Sequence, residues 1–214
     1  MADFEKIADG VIAGDFNGVA RLTGEAISKG AKPLEIINGG LIKGMNVVGA
    51  RFRAGDMFVP EVMMSARAMK EGMELVKPLI AESDLPTAGK VVLGTVIGDL
   101  HDIGKNLVGM MMESAGMNVV NLGVDVPPEK FVQAVREHNP EVVALSALLT
   151  TTMPAMKDTI DALMENGLKD SVKVIVGGAP VTQDFADEIG ADGWASDAAS
   201  AKDLALEMVD QLKL

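Results

Sequence analysis

The sequence predicts an α/β protein, with an N-terminal four-helix bundle joined to a flavodoxin-like, Rossmann-like sheet of five parallel strands. Three observations predict it. Residues 1–85 place apolar side chains at helical spacing, and residues 90–214 alternate short β-branched runs with helical stretches. Between them, residues 86–89 (Pro86-Thr87-Ala88-Gly89) read as a linker.

In the first half, Glu5 to Ala13 and Asn17 to Lys29 are amphipathic runs, each closed by a Gly or Asp break. Pro33 can open a third helix, because proline suits the first helical position. Leu34, Ile37, Leu41, Met45 and Val48 follow it at the helical period. Gly55-Asp56 is a turn, and Pro60 opens a fourth helix through Val62, Ala66, Met69, Met73 and Val76. Four helices with short connections make a small bundle.

Beyond the linker, strands are expected at Lys90 to Ile97, Asn118 to Leu122, Val142 to Ser146, Val172 to Val176 and Gly193 to Ala195. Helices are expected at Gly104 to Ala115, Pro127 to Glu137, Pro154 to Glu165, Gln183 to Ile189 and Ala199 to Leu212. Such alternation implies βαβ units with right-handed crossovers, and five strands suggest the order 2-1-3-4-5.

Composition narrows the function. Hydrophobic residues make up 48% of the 214, aromatics only 3%, and there are 15 methionines, so the core is aliphatic and Met-filled. A net charge of -12 argues against nucleic acid as a partner. The absence of cysteine excludes disulfides, thiolate zinc sites and iron–sulfur clusters. The start of the chain has no basic segment followed by an apolar one. No apolar run reaches membrane-spanning length, so no membrane role and a cytoplasmic location are expected.

In the order 2-1-3-4-5, strands 1, 3 and 4 are neighbours, and ligands of open parallel sheets bind at the strands' carboxyl ends. Three unusual loops fall there: Gly98-Asp99-Leu100-His101-Asp102-Ile103-Gly104, then Ser146-Ala147-Leu148-Leu149-Thr150-Thr151-Thr152, then Gly177-Gly178-Ala179-Pro180. His101 is the chemical centre. Asp99, two residues earlier, is placed to fix the imidazole tautomer and raise its basicity, as carboxylates do for metal-binding histidines. The other histidine, His138, falls late in a surface helix and receives no role. A protein-built metal cage needs three or four ligands, and one histidine suffices only where the metal brings a macrocycle. Haem and corrin both satisfy that condition. The chain lacks a Cys-x-x-Cys-His attachment site and the aromatic richness expected around a porphyrin. Gly177-Gly178 allows close backbone approach, or simply a tight turn. Ser146 and Thr150 bring hydroxyls to the mouth of strand 3, while Thr151 and Thr152 are better placed to cap the next helix.

Asp99-x-His101-x-x-Gly104, Ser146-x-Leu148 and Gly177-Gly178, in this order and spacing, resemble the signature of the cobalamin-binding domain of methionine synthase and of methyltransferase-associated corrinoid proteins. The helical half resembles that family's cap, notably over Phe58-Val59-Pro60-Glu61-Val62-Met63-Met64-Ser65-Ala66-Arg67-Ala68-Met69.

The resemblance implies a cobalamin or related corrinoid, passing through methylcob(III)alamin, cob(II)alamin and cob(I)alamin states, with His101 as lower axial cobalt ligand. It implies a relay of Asp99 and Ser146 to that histidine. The nucleotide tail would lie beside Asp102, Ile103, Gly104, Ser146, Leu148, Thr150, Gly177 and Gly178. It further implies that Phe58, Met63 and Met64 belong to a cap that swings at the linker. The chain then resembles the carrier subunit of a methylamine, quaternary-amine, methanol or methoxyaromatic demethylation system. Its partners would be a substrate:corrinoid methyltransferase, a corrinoid:folate or corrinoid:thiol methyltransferase, and a reductive activase.

Three rivals share parts of this pattern. A phosphoacceptor domain would need an aspartate where Ser146 stands. A cobalamin-dependent isomerase subunit would not carry the helical bundle. A corrinoid sensor would need an output segment, and none is visible, whereas simple storage makes no such demand.

Overall fold

The computed structural model describes residues 3–80 and 87–213, so Pro86 of the expected linker lies outside the described residues. The described residues form two compact units, one of residues 3–80 with Ser114–Gly116 and one of the remaining residues from 87 on.

The first unit is helical: α1 (Phe4–Ile12), α2 (Phe16–Ser28), α3 (Pro33–Ile36), α4 (Lys43–Arg53) and α5 (Val59–Val76). Asp3 and Asp15 cap the first two helices, accepting from the backbone N–H of Lys6 and of Gly18. Where one helix was expected from Pro33 onward, the segment Ile37–Ile42 between α3 and α4 is wound as a π-helix. Gly40 in this segment and Gly44 at the start of α4 admit α1 at close range. A Cβ on Gly40 would stand 2.9 Å from Ile7 Cγ2, and one on Gly44 would stand 2.8 Å from the Ala8 carbonyl. Ile7, Val11, Val19, Ile36, Leu41, Val48, Val62 and Val76 fill the core of this unit. Phe58, Met63 and Met64 remain exposed at the start of α5.

The second unit is a five-stranded parallel sheet in the order β2-β1-β3-β4-β5, as expected. The strands are β1 (Lys90–Thr95), β2 (Asn118–Asn121), β3 (Val142–Ser146), β4 (Lys173–Gly177) and β5 (Gly193–Ala195). The helices are α6 (Ile103–Ser114), α7 (Pro128–His138), α8 (Pro154–Glu165), α9 (Gln183–Ile189) and α10 (Ala198–Leu212). β1 stops at Thr95, two residues short of the expected end, and Val96 adds one isolated bridge to Val126.

Both faces of the sheet are covered, which is why its strands read as continuous apolar runs. Val92, Val143, Leu145, Val174 and Val176 point to one core with Phe131, Met156, Ile160 and Leu163. Val91, Leu93, Val142, Ala144 and Ile175 point to the other with Met112, Ala205 and Met208. Gly94 leaves room for Phe131, whose ring would lie 2.7 Å from a Cβ there. The register aligns Thr95, Ser146, Gly177 and Ala195 in one row at the carboxyl ends of β1, β3, β4 and β5. The three loops singled out above therefore leave the sheet side by side.

Candidate functional site

The loop from β1 to α6 carries a fully buried carboxylate beneath an exposed histidine. Asp99 is 0% exposed, whereas the His101 side chain is 50% exposed. One oxygen of Asp99 is 2.7 Å from His101 Nδ1 and accepts the His101 backbone N–H at 3.0 Å. The other accepts the Leu148 N–H at 2.7 Å, the Leu149 N–H at 3.3 Å and the Thr152 hydroxyl at 2.7 Å. Burial works against the ionised form. The donors from Thr152, Leu148 and His101 outweigh it and hold Asp99 well below the usual carboxylate range.

An ionised Asp99 can only accept. His101 Nδ1 must therefore carry a proton toward it, leaving Nε2 as the nitrogen available to a ligand. The ring is oriented from below by a group that water does not reach, the arrangement that orients metal-ligating histidines.

The hydroxyl on Asp99 comes from Thr152, where the relay was expected to use Ser146. Ser146 ends β3 in register with Thr95 and Gly177, and its carbonyl accepts the Val96 N–H. Thr152 has one proton and two acceptors, Asp99 at 2.7 Å and the Leu149 carbonyl at 2.9 Å. The charged acceptor takes the shorter bond. The expected helix cap at Thr151 or Thr152 does not form, because α8 begins after Met153 without a side-chain cap.

The remaining site residues surround His101 on the same edge. The Asp102 carboxylate accepts the Asn106 side-chain amide at 2.9 Å at the start of α6. Ile103 is 73% exposed and Leu100 70%. Ile97, Leu148 and Leu149 also stand exposed, an apolar rim unusual for a surface with no covering group. Thr150 is exposed in the turn after β3. Gly104 lies in α6, and a Cβ there would meet nothing within 4 Å, so the fold itself does not ask for glycine. Gly178 differs. Its φ is +138°, and a Cβ would fall 1.8 Å from the Ala147 carbonyl, so its close backbone approach is to the chain's own loop. Gly177 is roomier, 3.1 Å from the Ala195 carbonyl by the same measure.

Residues outside the expected set support the loop. The Thr95 hydroxyl donates to the His101 carbonyl at 2.9 Å. Asp125, at a positive φ of 53°, accepts the Gly98 N–H at 2.7 Å and donates its own N–H to the Asp99 carbonyl at 3.0 Å. The lone signal in the sequence was an aspartate after Gly123-Val124. His138 closes α7, and its carbonyl accepts the Lys90 ammonium at 2.6 Å.

Among the described residues, no group of three or more His, Cys, Asp or Glu could hold a metal ion. A metal at His101 must therefore bring its other ligands. A planar macrocycle fits what is here: one oriented imidazole nitrogen, an apolar rim and an unfilled space at Gly104. The groove between α7 and α8, bounded by Gln133, Arg136, Glu165 and Asn166, offers no comparable chemistry. No helix among the described residues is long and apolar enough to cross a membrane.

Comparison with known proteins agrees with this geometry. Residues 89–202 match the B12 binding domain family, and residues 3–77 match a second family of the same description. The chain is 46% identical over 208 residues to a corrinoid protein of Desulfitobacterium hafniense, covering 96% of each chain. It is 48% identical over 178 residues to a dimethylamine corrinoid protein of Methanosarcina acetivorans, covering 83% of this chain and 84% of the other. A cobalamin-binding protein of Desulfitobacterium hafniense superposes with a TM-score of 0.83 at 33% identity, over 97% of this chain and 99% of that one. A chain of the methanol:cobalamin methyltransferase complex of Methanosarcina barkeri superposes with a TM-score of 0.85 at 38% identity, over 96% and 78%.

Proposed function

This chain belongs to the B12-binding corrinoid proteins, and on that premise we propose that it is a methyl carrier. It holds a corrinoid through Nε2 of His101, receives a methyl group from a substrate-specific methyltransferase and surrenders it to a second methyltransferase. When bound, the corrinoid supplies a cobalt that takes up and gives up the methyl group. The chain's own residues do the rest. His101 offers its lone pair from a ring that Asp99 fixes. The Thr152 hydroxyl and the Leu148 N–H keep Asp99 ionised, which strengthens the donor character of the imidazole. Asp102, Ile103, Gly104, Ser146, Leu148, Thr150, Gly177 and Gly178 line the carboxyl edge where the cofactor's tail is proposed to lie.

The observation that carries this reading is the 2.7 Å bond from His101 Nδ1 to a fully buried carboxylate. The relatives named for dimethylamine, trimethylamine and methanol systems support a transfer role over sensing or storage. The acceptor side, a folate or thiol methyltransferase, and a reductive activase complete the proposed set of partners, in the cytoplasm.

The test is reconstitution with hydroxocobalamin and electron paramagnetic resonance of the cobalt(II) state, beside His101→Ala. One corrinoid per chain with nitrogen hyperfine structure, lost in the variant together with about 10- to 100-fold in affinity, is expected. Hyperfine structure that survives His101→Ala would remove the histidine from the cobalt.

A further inference from the structure

Lys105 is 3% exposed, and the hydrogen bonds of its ammonium go to side-chain amides. Its Nζ donates to Asn106 Oδ1 at 2.6 Å and to Asn121 Oδ1 at 2.8 Å. Burial lowers its pKa, opposed by the charge of Asp102. Burying an ammonium among neutral amides costs stability, so the arrangement calls for a reason other than core packing.

The network shows what the cation joins. Asn106 sits in the first turn of α6 and binds Asp102 twice, side chain to side chain at 2.9 Å and backbone N–H to carbonyl at 2.7 Å. Asn121 ends β2, and its Oδ1 also accepts the Gly123 N–H at 3.0 Å. The Gly123 carbonyl in turn accepts the Thr95 N–H, and Asp125 holds Gly98 and Asp99. Beside the Asp99 carboxylate cluster and the Val96 N–H held by Ser146, residues 121–125 thus supply anchors on both sides of His101. That segment grips Thr95, Gly98 and Asp99 on the entering side of His101, and through Lys105 it grips the start of α6 on the leaving side.

We propose that Lys105 is a positioning residue for His101: with Asn106 and Asn121 it fastens the exit of the histidine loop to the end of β2, so that the imidazole stands at a fixed height and angle over Asp99. The residues after β2 are then a template for the ligand loop and need not touch the cofactor. The proposal rests on His101 being the axial ligand, but its effect is present before any cofactor binds.

The test uses the cofactor-free full chain, labelled with nitrogen-15, as native protein, Lys105→Met, Asn121→Ala and Asn121→Asp. Two signals are followed by nuclear magnetic resonance: the His101 Nδ1–H resonance and the exchange rate of the His101 amide. Asn121 is an exposed residue, so Asn121→Ala keeps the fold and decides the matter if Lys105→Met does not. In Lys105→Met and Asn121→Ala the Nδ1–H signal should be lost to exchange and the His101 amide should exchange about 10-fold faster. Val143 and Ile175 in the sheet should stay protected. Asn121→Asp retains an acceptor for Lys105 and should restore both signals. Reconstituted Asn121→Ala should bind hydroxocobalamin about 10-fold more weakly. Unchanged His101 signals in Asn121→Ala would overturn the positioning role and leave His101 ligation untouched. Hyperfine structure surviving His101→Ala would overturn the ligation and leave the positioning measurement standing.

Discussion

In the helical unit, Phe58, Met63 and Met64 project from the start of α5, carried by a helix whose exposed first turn closes on itself: Glu61 accepts the Phe58 N–H at 2.8 Å, and the Phe58 carbonyl accepts the N–H groups of Glu61 and Val62. In the sheet unit, Leu148 and Leu149 are about as exposed as the methionines, yet their own backbone N–H groups end on one buried carboxylate, as does that of His101 beside the exposed Leu100. Long, unbranched methionine side chains give a surface that repacks at little cost. Loops closed onto Asp99 give a surface that keeps its shape. The comparison teaches that exposure alone does not mark a site. What distinguishes the sheet unit is that its exposed groups are held by groups that water does not reach.

The largest effect should come from breaking that hold at the backbone. Gly178→Val puts a branched side chain at a φ of +138° and its Cβ into the Ala147 carbonyl. A loss of about 3 kcal/mol or more is expected in urea denaturation, with no measurable corrinoid binding. If the variant is as stable as the native protein, the loops after β3 and β4 do not interlock as described.

Asp99→Asn comes next. The amide can face one set of donors with its oxygen but must turn its NH2 toward the other, so His101, or Leu148 and Thr152, loses an acceptor. A cost of about 1–3 kcal/mol and a 10- to 100-fold loss of corrinoid affinity are expected, read by denaturation and titration. Thr152→Val removes only the hydroxyl and should fall between native and Asp99→Asn. Ser146→Ala should stay close to native, and a larger effect from Ser146 than from Thr152 would restore the relay expected from the sequence.

That exchange of Ser146 for Thr152 shows where sequence reading stops. The strands were legible because a parallel sheet covered on both faces demands apolar β-branched runs, and strand order followed from the crossovers. Asp99 and His101 were legible because two residues on one loop must lie near each other. The choice among Ser146, Thr150, Thr151 and Thr152 depends on how the turn after Leu148 aims each hydroxyl, which spacing does not encode. Lys105, Asn121 and Asp125 act across 16 to 27 residues of chain, through loops whose shapes they themselves help to set. The π-wound Ile37–Ile42 was hidden for a related reason, since Gly39-Gly40 reads simply as weak helix until α1 lies against it.

A smaller effect separates charge from shape at the same sheet edge. Asp197 caps α10, accepting from the N–H groups of Ala199 and Ser200 at 2.9 Å each. Burial opposes its ionised form, but these bonds and the hydroxyls of Ser200 and Ser196 prevail, and its pKa lies below the ordinary value. A depressed folded pKa contributes stability above the unfolded pKa, and that contribution is lost as pH falls through the folded one. Asp197→Asn keeps the acceptor and drops the charge, so it should cost about 0.5 kcal/mol at neutral pH and low salt. The gap to native should close as pH falls below about 5. A gap that widens in acid would mean the carboxylate is not favoured by its partners.

The smallest effect is the one that tests the helical unit. Phe58 is 68% exposed, so truncating it returns little buried area to water, and Phe58→Ala leaves the backbone N–H that Glu61 accepts. The urea midpoint should move by no more than about 0.5 kcal/mol equivalent at unchanged slope. Met63→Ala should behave alike. A loss above about 1 kcal/mol from Phe58→Ala would show that the ring fixes the start of α5, which would make this surface as rigid as the one around His101. With stability unchanged, any loss of methyl transfer in these variants is attributable to the contact surface itself. The helical unit would then contribute softness where the sheet unit contributes a fixed imidazole.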